Sequence, residues 1–197
     1  KSRSGHGTAT TQAAASGGMR LRMSMDTSHS GEHALWVERL SLTNFRSYAQ
    51  ITLQATAAPQ VIVGANGAGK TNLLEALSLL APGQGLRRVP FGELARAESE
   101  GGFAVAAKVH TLNGMADIGT GVLAGNGGGE RGRIVRIDGV AQSGSGVLAD
   151  YLEIVWVTPA MDGLFTGAAS ERRRFLDRLI LCFDAGYRTI AGRFERA

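Results

Sequence analysis

The chain has 197 residues and a mass of 20.6 kDa, room for one domain or one and a half. Apolar residues at 44% exclude a wholly disordered chain, and the single cysteine, Cys182, excludes a disulfide scaffold or a four-cysteine zinc site. The net charge of +4 sits at the ends, with +2 on residues 1–34, −1 on residues 35–170 and +3 on residues 171–197, so any polyanionic partner is expected at the basic ends.

Residues 1–34 read as a disordered tail, because twenty of the 34 are Ser, Thr, Gly or Ala and no periodicity is visible. Two origins stay open: sequence upstream of a true start at Met19, Met23 or Met25, or an organellar transit peptide. No apolar run follows a basic leader and none is long enough for a membrane span, so a reducing, cytoplasmic compartment is expected. Order is expected from Leu35 onward, with residues 35–197 forming one unit.

The apolar run Leu35, Val37, Leu40 and Leu42 reads as a strand, and Ile51 and Leu53 continue the alternation after Phe45-Arg46-Ser47-Tyr48, giving an antiparallel pair. Val61–Val63 reads as a buried strand. Leu73, Leu74, Leu77 and Leu80 then follow helical spacing from Lys70 until Pro82-Gly83. A short helix is expected near Phe91–Ala97. Phe103–Val109, Met115–Leu123 and Arg133–Ile137 read as strands of a β-meander. Leu112-Asn113-Gly114, the glycine stretch 125–129 and Asp138-Gly139 supply its turns. Leu148–Leu152 is a candidate helical turn, Glu153–Val157 a buried strand and Ser170–Phe183 a helix.

The chemistry is concentrated in Gly64-Ala65-Asn66-Gly67-Ala68-Gly69-Lys70-Thr71, which matches G-x-x-x-x-G-K-[ST] between a strand and a helix. The glycines let the backbone turn with positive φ and bring N–H groups onto phosphate oxygens. The following helix N-terminus adds free donors and a positive dipole end. Lys70 is then the candidate partner of the β- and γ-phosphates, and Thr71 the candidate hydroxyl ligand of Mg²⁺.

Leu40–Tyr48, then Gly64–Thr71 with Asn72-Leu73-Leu74-Glu75-Ala76-Leu77, resembles the start of the RecF family, a group within the SMC-like branch of the ABC-type ATPases. Gly85-Leu86-Arg87, Thr158–Asp162 and Glu171–Asp177 narrow the resemblance to that family within the branch, and it runs from Leu35 to the end of the chain. It implies an α/β P-loop fold of ABC-ATPase type: a mixed sheet packed around the P-loop helix, with the antiparallel meander beside it. It also implies binding of ATP and Mg²⁺, with Asn72, Arg46 and Ser47 joining the loop near the nucleotide. Further implications are an ATP-dependent homodimer of the full protein, binding to single-stranded and gapped duplex DNA, and work with RecO and RecR in loading a recombinase during DNA replication, repair and the SOS response. The other reading of Arg46 is a solvated or salt-bridged arginine at a strand end.

The sequence has no L-S-x-G-Q signature and no apolar strand ending in Asp-Glu. In the family these elements come later, so the chain resembles an N-terminal portion, is expected to continue past Ala197, and leaves open whether it turns over ATP. The full-length family is a weak ATPase. Arg172-Arg173-Arg174 and Arg87-Arg88 are candidate phosphate contacts, with solvation or pairing of Arg174 to Glu171 or Asp177 as the alternative. Trp36, Trp156 and Cys182 read as core residues. An ABC-type subunit driving a membrane or protein partner, and a P-loop small-molecule kinase, remain the competing functional classes.

Overall fold

The computed structural model describes residues 20–23, 35–99, 101–124, 132–161, 163–164, 166–181, 184 and 187. Eight strands and two α-helices are formed among them: β1 Arg20–Met23, β2 Trp36–Phe45, β3 Tyr48–Gln54, β4 Gln60–Val63, α1 Lys70–Ser78, β5 Phe103–Thr111, β6 Gly114–Val122, β7 Ile134–Ile137, β8 Val140–Ala141 and α2 Ala169–Leu181. Short 3-10 turns at Phe91–Leu94 and Ser145–Asp150 match the two helical turns expected from sequence.

Six strands make one sheet in the order β3-β2-β5-β6-β7-β8. Its alternation sorts the side chains. Leu40, Leu42, Ile51, Leu53, Val105, Ala107, Val109, Ile118, Val135 and Ile137 face the core, while Thr43, Gln50, Thr52, Asp117 and Arg136 stay wet. Onto the apolar face packs α1, through Leu73, Ala76, Leu79 and Leu80, with Leu94, Leu148 and Leu152 closing the layer. The Asp138-Gly139 turn has φ of 49° and 81°, the pair of positive values that a two-residue hairpin turn requires, and the Asp138 carboxylate accepts the Asp117 N–H at 2.8 Å.

The meander forms as expected, but in the same sheet as the first hairpin. Every described pairing is antiparallel, so the mixed character expected of the sheet is not found among the described residues. The strand before the P-loop also departs from expectation. Instead of being buried, β4 pairs with β1 alone among the described residues, and Val61 and Val63 are 54% and 42% exposed. Only Ile62 turns toward the core, because no described element covers the opposite face. β1 itself lies inside the segment expected as a tail. Its Arg-Leu-Arg-Met alternation is a period-2 pattern, and β4 offers an open edge for it to pair with. The rest of residues 1–34 lies outside the described residues, as do the glycine stretch 125–129, Cys182 and Phe183.

Glu153–Val157 forms no strand. No strand is assigned there among the described residues, and Val155 and Val157 are exposed, so β-branched composition alone did not make a ladder. Trp36 stacks on His110 with ring centroids 4.2 Å apart, and His110 Nε2 meets the Glu38 carboxylate at 2.7 Å, a bond that holds the Glu38 pKa below the usual carboxylate range.

One arginine ties the meander to the end of α1. Arg133 reaches the backbone carbonyls of Leu79, Ala81 (3.3 Å) and Gly83 (2.7 Å), and its Nε donates to Thr120 Oγ1 at 2.8 Å. These carbonyls lie at and beyond the negative end of the helix, where a cation is favoured. Burial pushes the Arg133 pKa down to about 10, still far above neutrality, so the charge is kept.

Removing this cap leaves helix carbonyls and Thr120 without their donor. Arg133→Ala is expected to lower unfolding stability by about 1.5–3 kcal/mol, read as a lower urea midpoint with an unchanged slope. Gly121 generates the second test, because a methyl group there would run into the Phe103 carbonyl and approach Ala104 Cα at 3.1 Å. Gly121→Ala is expected to destabilise by about 1–3 kcal/mol, whereas Gly132→Ala, in open space, should leave the midpoint within error.

Candidate nucleotide-binding site

The loop between β4 and α1 carries the candidate site. Gly67 and Gly69 sit at φ of 83° and 91°, where a side chain would be strained, and Gly69 is the N-cap of α1. No side chain caps the helix and its first turn holds no acidic residue, so its positive end is left for an outside anion. Inside the loop the Ala68 N–H donates to the Ala65 carbonyl at 3.2 Å, and the Asn72 N–H to the Gly69 carbonyl at 2.8 Å. Gly64, Ala65, Asn66 and Gly67 are exposed.

Lys70 folds back over this loop. Its ammonium donates to the carbonyls of Gly64 and Ala65 at 2.7 and 2.8 Å. Both acceptors are neutral, so an anionic oxygen at the same position would be the stronger partner. Thr71 is exposed on the first turn of α1, consistent with a hydroxyl open to a ligand.

The β2–β3 hairpin reaches the loop from the side. Phe45 pairs with Tyr48, leaving Arg46 and Ser47 as a two-residue turn. Arg46 stands at φ of 52°, a conformation worth about 1–3 kcal/mol of strain for a non-glycine residue. Three contacts offset that strain: its N–H donates to the Leu94 carbonyl at 2.9 Å, its guanidinium takes the Glu75 carboxylate with two bonds of 2.8 and 2.9 Å, and its third nitrogen donates to the Glu93 carbonyl at 3.0 Å. Ser47 Oγ accepts from the Asn72 amide at 3.0 Å. In this structure the Arg46 side chain is ion-paired to Glu75.

Tyr48 fixes where the loop lies. Its hydroxyl donates to the Ala68 carbonyl at 3.4 Å, and burial raises its pKa. A side chain on Gly69 would meet that hydroxyl at 2.5 Å and Ser47 Oγ at 3.1 Å. Gly69 is thus required both by its backbone angle and by the ring beside it.

Several contributors were not singled out by sequence reasoning. Glu75 is 2% exposed although charged, and Arg87 reaches it at 3.0 Å and Asn72 at 3.4 Å. The signal was a glutamate on a helix otherwise spaced for burial. Ser78 Oγ bonds the Leu86 N–H at 2.7 Å, and buried Gly85 lies against Ser78 and Leu79, which turns the Gly85–Arg87 segment back onto α1. Arg87 is therefore partnered by the site, while Arg88 is exposed at φ of 53°. Of the arginine triplet, Arg174 pairs with Glu171 at 2.8 Å and Arg172 donates to the Gly167 carbonyl at 2.7 Å. No cluster of three or more His, Cys, Asp or Glu side chains suited to a metal ion occurs among the described residues. Nor is any described helix long and apolar enough to cross a membrane.

A family model described as an AAA domain matches residues 39–134. The chain is 49% identical over 161 residues to the DNA replication and repair protein RecF of Mesorhizobium japonicum, and 51% identical over 162 residues to that of Brucella suis. Each alignment takes in 82% of this chain but 42% and 41% of the relative, so the chain spans about two fifths of their length. Among solved structures, the recombination mediator protein RecF-ATPrS in the RecFOR pathway has a TM-score of 0.65 at 22% identity, covering 85% of this chain and 44% of that one. The corresponding RecF-ATP structure has a TM-score of 0.63. These two likenesses show the fold alone. On sequence identity, the aligned part of the chain matches an N-terminal portion of these two bacterial RecF proteins.

Proposed function

We propose that this chain is the nucleotide-holding part of a RecF-type DNA replication and repair ATPase, and that Gly64–Thr71 with Asn72 takes the phosphates of ATP. The observation that carries the reading is the loop itself: two glycines in left-handed conformations, an uncapped helix start, and a lysine ammonium resting on two carbonyls where a phosphate oxygen would be a better acceptor. The donor set fits a polyphosphate. It also fits Mg²⁺ carried in with the nucleotide, because Thr71 offers one exposed hydroxyl and such ions keep waters and phosphate oxygens as their remaining ligands. Mg²⁺ would neutralise phosphate charge; Lys70 supplies the fixed positive charge and the loop N–H groups fix orientation.

The remaining parts of the reading rest on the likeness to RecF proteins. They are binding to single-stranded and gapped duplex DNA, co-operation with RecO and RecR, ATP-bridged homodimerisation of the whole protein, support of recombinase loading, a role in the SOS response, and a cytoplasmic location. Residues 35–197 are proposed as part of the ATP-binding domain. Ser47 is proposed to lie beside the nucleotide, through its bond to Asn72. The ion pair to Glu75 supports a bracing part for Arg46.

Lys70→Ala removes a charge-assisted contact worth about 1.5–3 kcal/mol. Calorimetry with ATP and Mg²⁺ is expected to find affinity lowered by about 10- to 100-fold; equal affinity for both proteins would remove the assignment. For DNA, the basic excess at residues 171–197 predicts sequence-independent binding near 10⁻⁴–10⁻⁶ M, about the range typical of phosphate contacts. Fluorescence anisotropy over a salt series should show it weakening steeply, and tight salt-insensitive binding would contradict it.

A further inference from the structure

Glu75 is the one buried carboxylate at the site, and two arginines converge on it. A carboxylate so far from water requires a cation and hydrogen bonds. Arg46 already supplies both, engaging each carboxylate oxygen, and all three of its guanidinium nitrogens are committed. Arg87 adds a second cation through a single nitrogen, to Glu75 at 3.0 Å, and its side chain is 40% exposed. One carboxylate neutralises one guanidinium, so the cluster keeps one surplus positive charge. The exposed Arg87, engaged through one nitrogen, is the member with donors to spare.

The place of that surplus follows from helix spacing. Glu75 stands four residues after Thr71 and three after Asn72, on one face of α1. Asn72 joins the two halves: its amide donates to Ser47 Oγ at 3.0 Å and its carbonyl oxygen accepts from Arg87 at 3.4 Å. Without Glu75, two guanidiniums would lie near the positive end of a helix and repel it and each other.

We propose that Glu75 is a positioning residue of the nucleotide site, gathering Arg46 and Arg87 within one turn of Thr71 so that the surplus guanidinium favours the more highly charged triphosphate over the diphosphate. The proposal rests on the P-loop reading above and adds to it a residue that acts through the two arginines. Arg46 braces the hairpin turn, and Arg87 carries the charge that discriminates.

The test is calorimetry of the chain with ATP and with ADP, each with Mg²⁺, for wild type, Lys70→Ala, Glu75→Gln and Arg87→Ala. Glu75→Gln and Arg87→Ala are each expected to reduce the preference for ATP over ADP by about five- to tenfold, with ADP affinity changed less than about threefold. A merely structural part for Glu75 would weaken both nucleotides alike and leave the preference unchanged. Should Glu75→Gln fail to fold, Arg87→Ala carries the test, because that side chain is exposed and its loss leaves the Arg46–Glu75 pair in place. A preference unchanged in Arg87→Ala and in any folded Glu75→Gln protein, while Lys70→Ala loses affinity, overturns this proposal alone. Absence of nucleotide binding by wild type overturns the P-loop reading and this proposal with it.

Discussion

The contact of Tyr48 with Gly69 is the constraint around which the site is built. A phenol ring occupies the space where any other residue at position 69 would place its Cβ, and its hydroxyl bonds the carbonyl before it. That contact brings a hairpin of the antiparallel sheet against the first turn of α1. It can form only because Arg46 and Ser47 make a two-residue turn, which delivers Tyr48 to the right end of β3. The strain of Arg46 at positive φ is thereby linked to the geometry of a loop some twenty residues away in sequence.

Charge as well as packing holds α1. From its middle, Glu75 draws in Arg46 from the hairpin and Arg87 from the segment that returns after the helix. At its end, Arg133 arrives from the strand region before β7 and takes the terminal carbonyls. Apolar burial through Leu73, Ala76, Leu79 and Leu80 supplies the bulk of the adhesion, but it is not directional. The arginines supply direction: they fix the rotation and axial position of the helix, and so the height at which Lys70 and Thr71 stand above the sheet.

The P-loop was legible in the sequence because its chemistry is local. Gly67, Gly69 and Lys70 act through the backbone they sit in, and neighbours in sequence carry the information. The meander was legible for a similar reason, since Asp138-Gly139 specifies a hairpin turn without reference to the rest of the chain. What was not legible depends on distant partners. β4 reads as a buried strand by composition, yet burial needs a covering layer, and Val61 and Val63 find none among the described residues. Val155 and Val157 fail to form a ladder on the same ground. The pairing of Glu75 was not legible because its two arginines lie 29 and 12 residues away, and Arg133 gave no sign that it would cap a helix some fifty residues earlier.

The central claim is that the sheet, through its hairpin, holds a loop whose backbone donors receive phosphate. Amide hydrogen exchange across residues 64–72, with and without ATP and Mg²⁺, tests it most directly. The account predicts that nucleotide slows exchange at Gly67–Thr71, where N–H groups would gain phosphate acceptors, and leaves the core strands β5 and β6 unchanged. Exchange at Gly67–Thr71 that is the same with and without saturating nucleotide would contradict it.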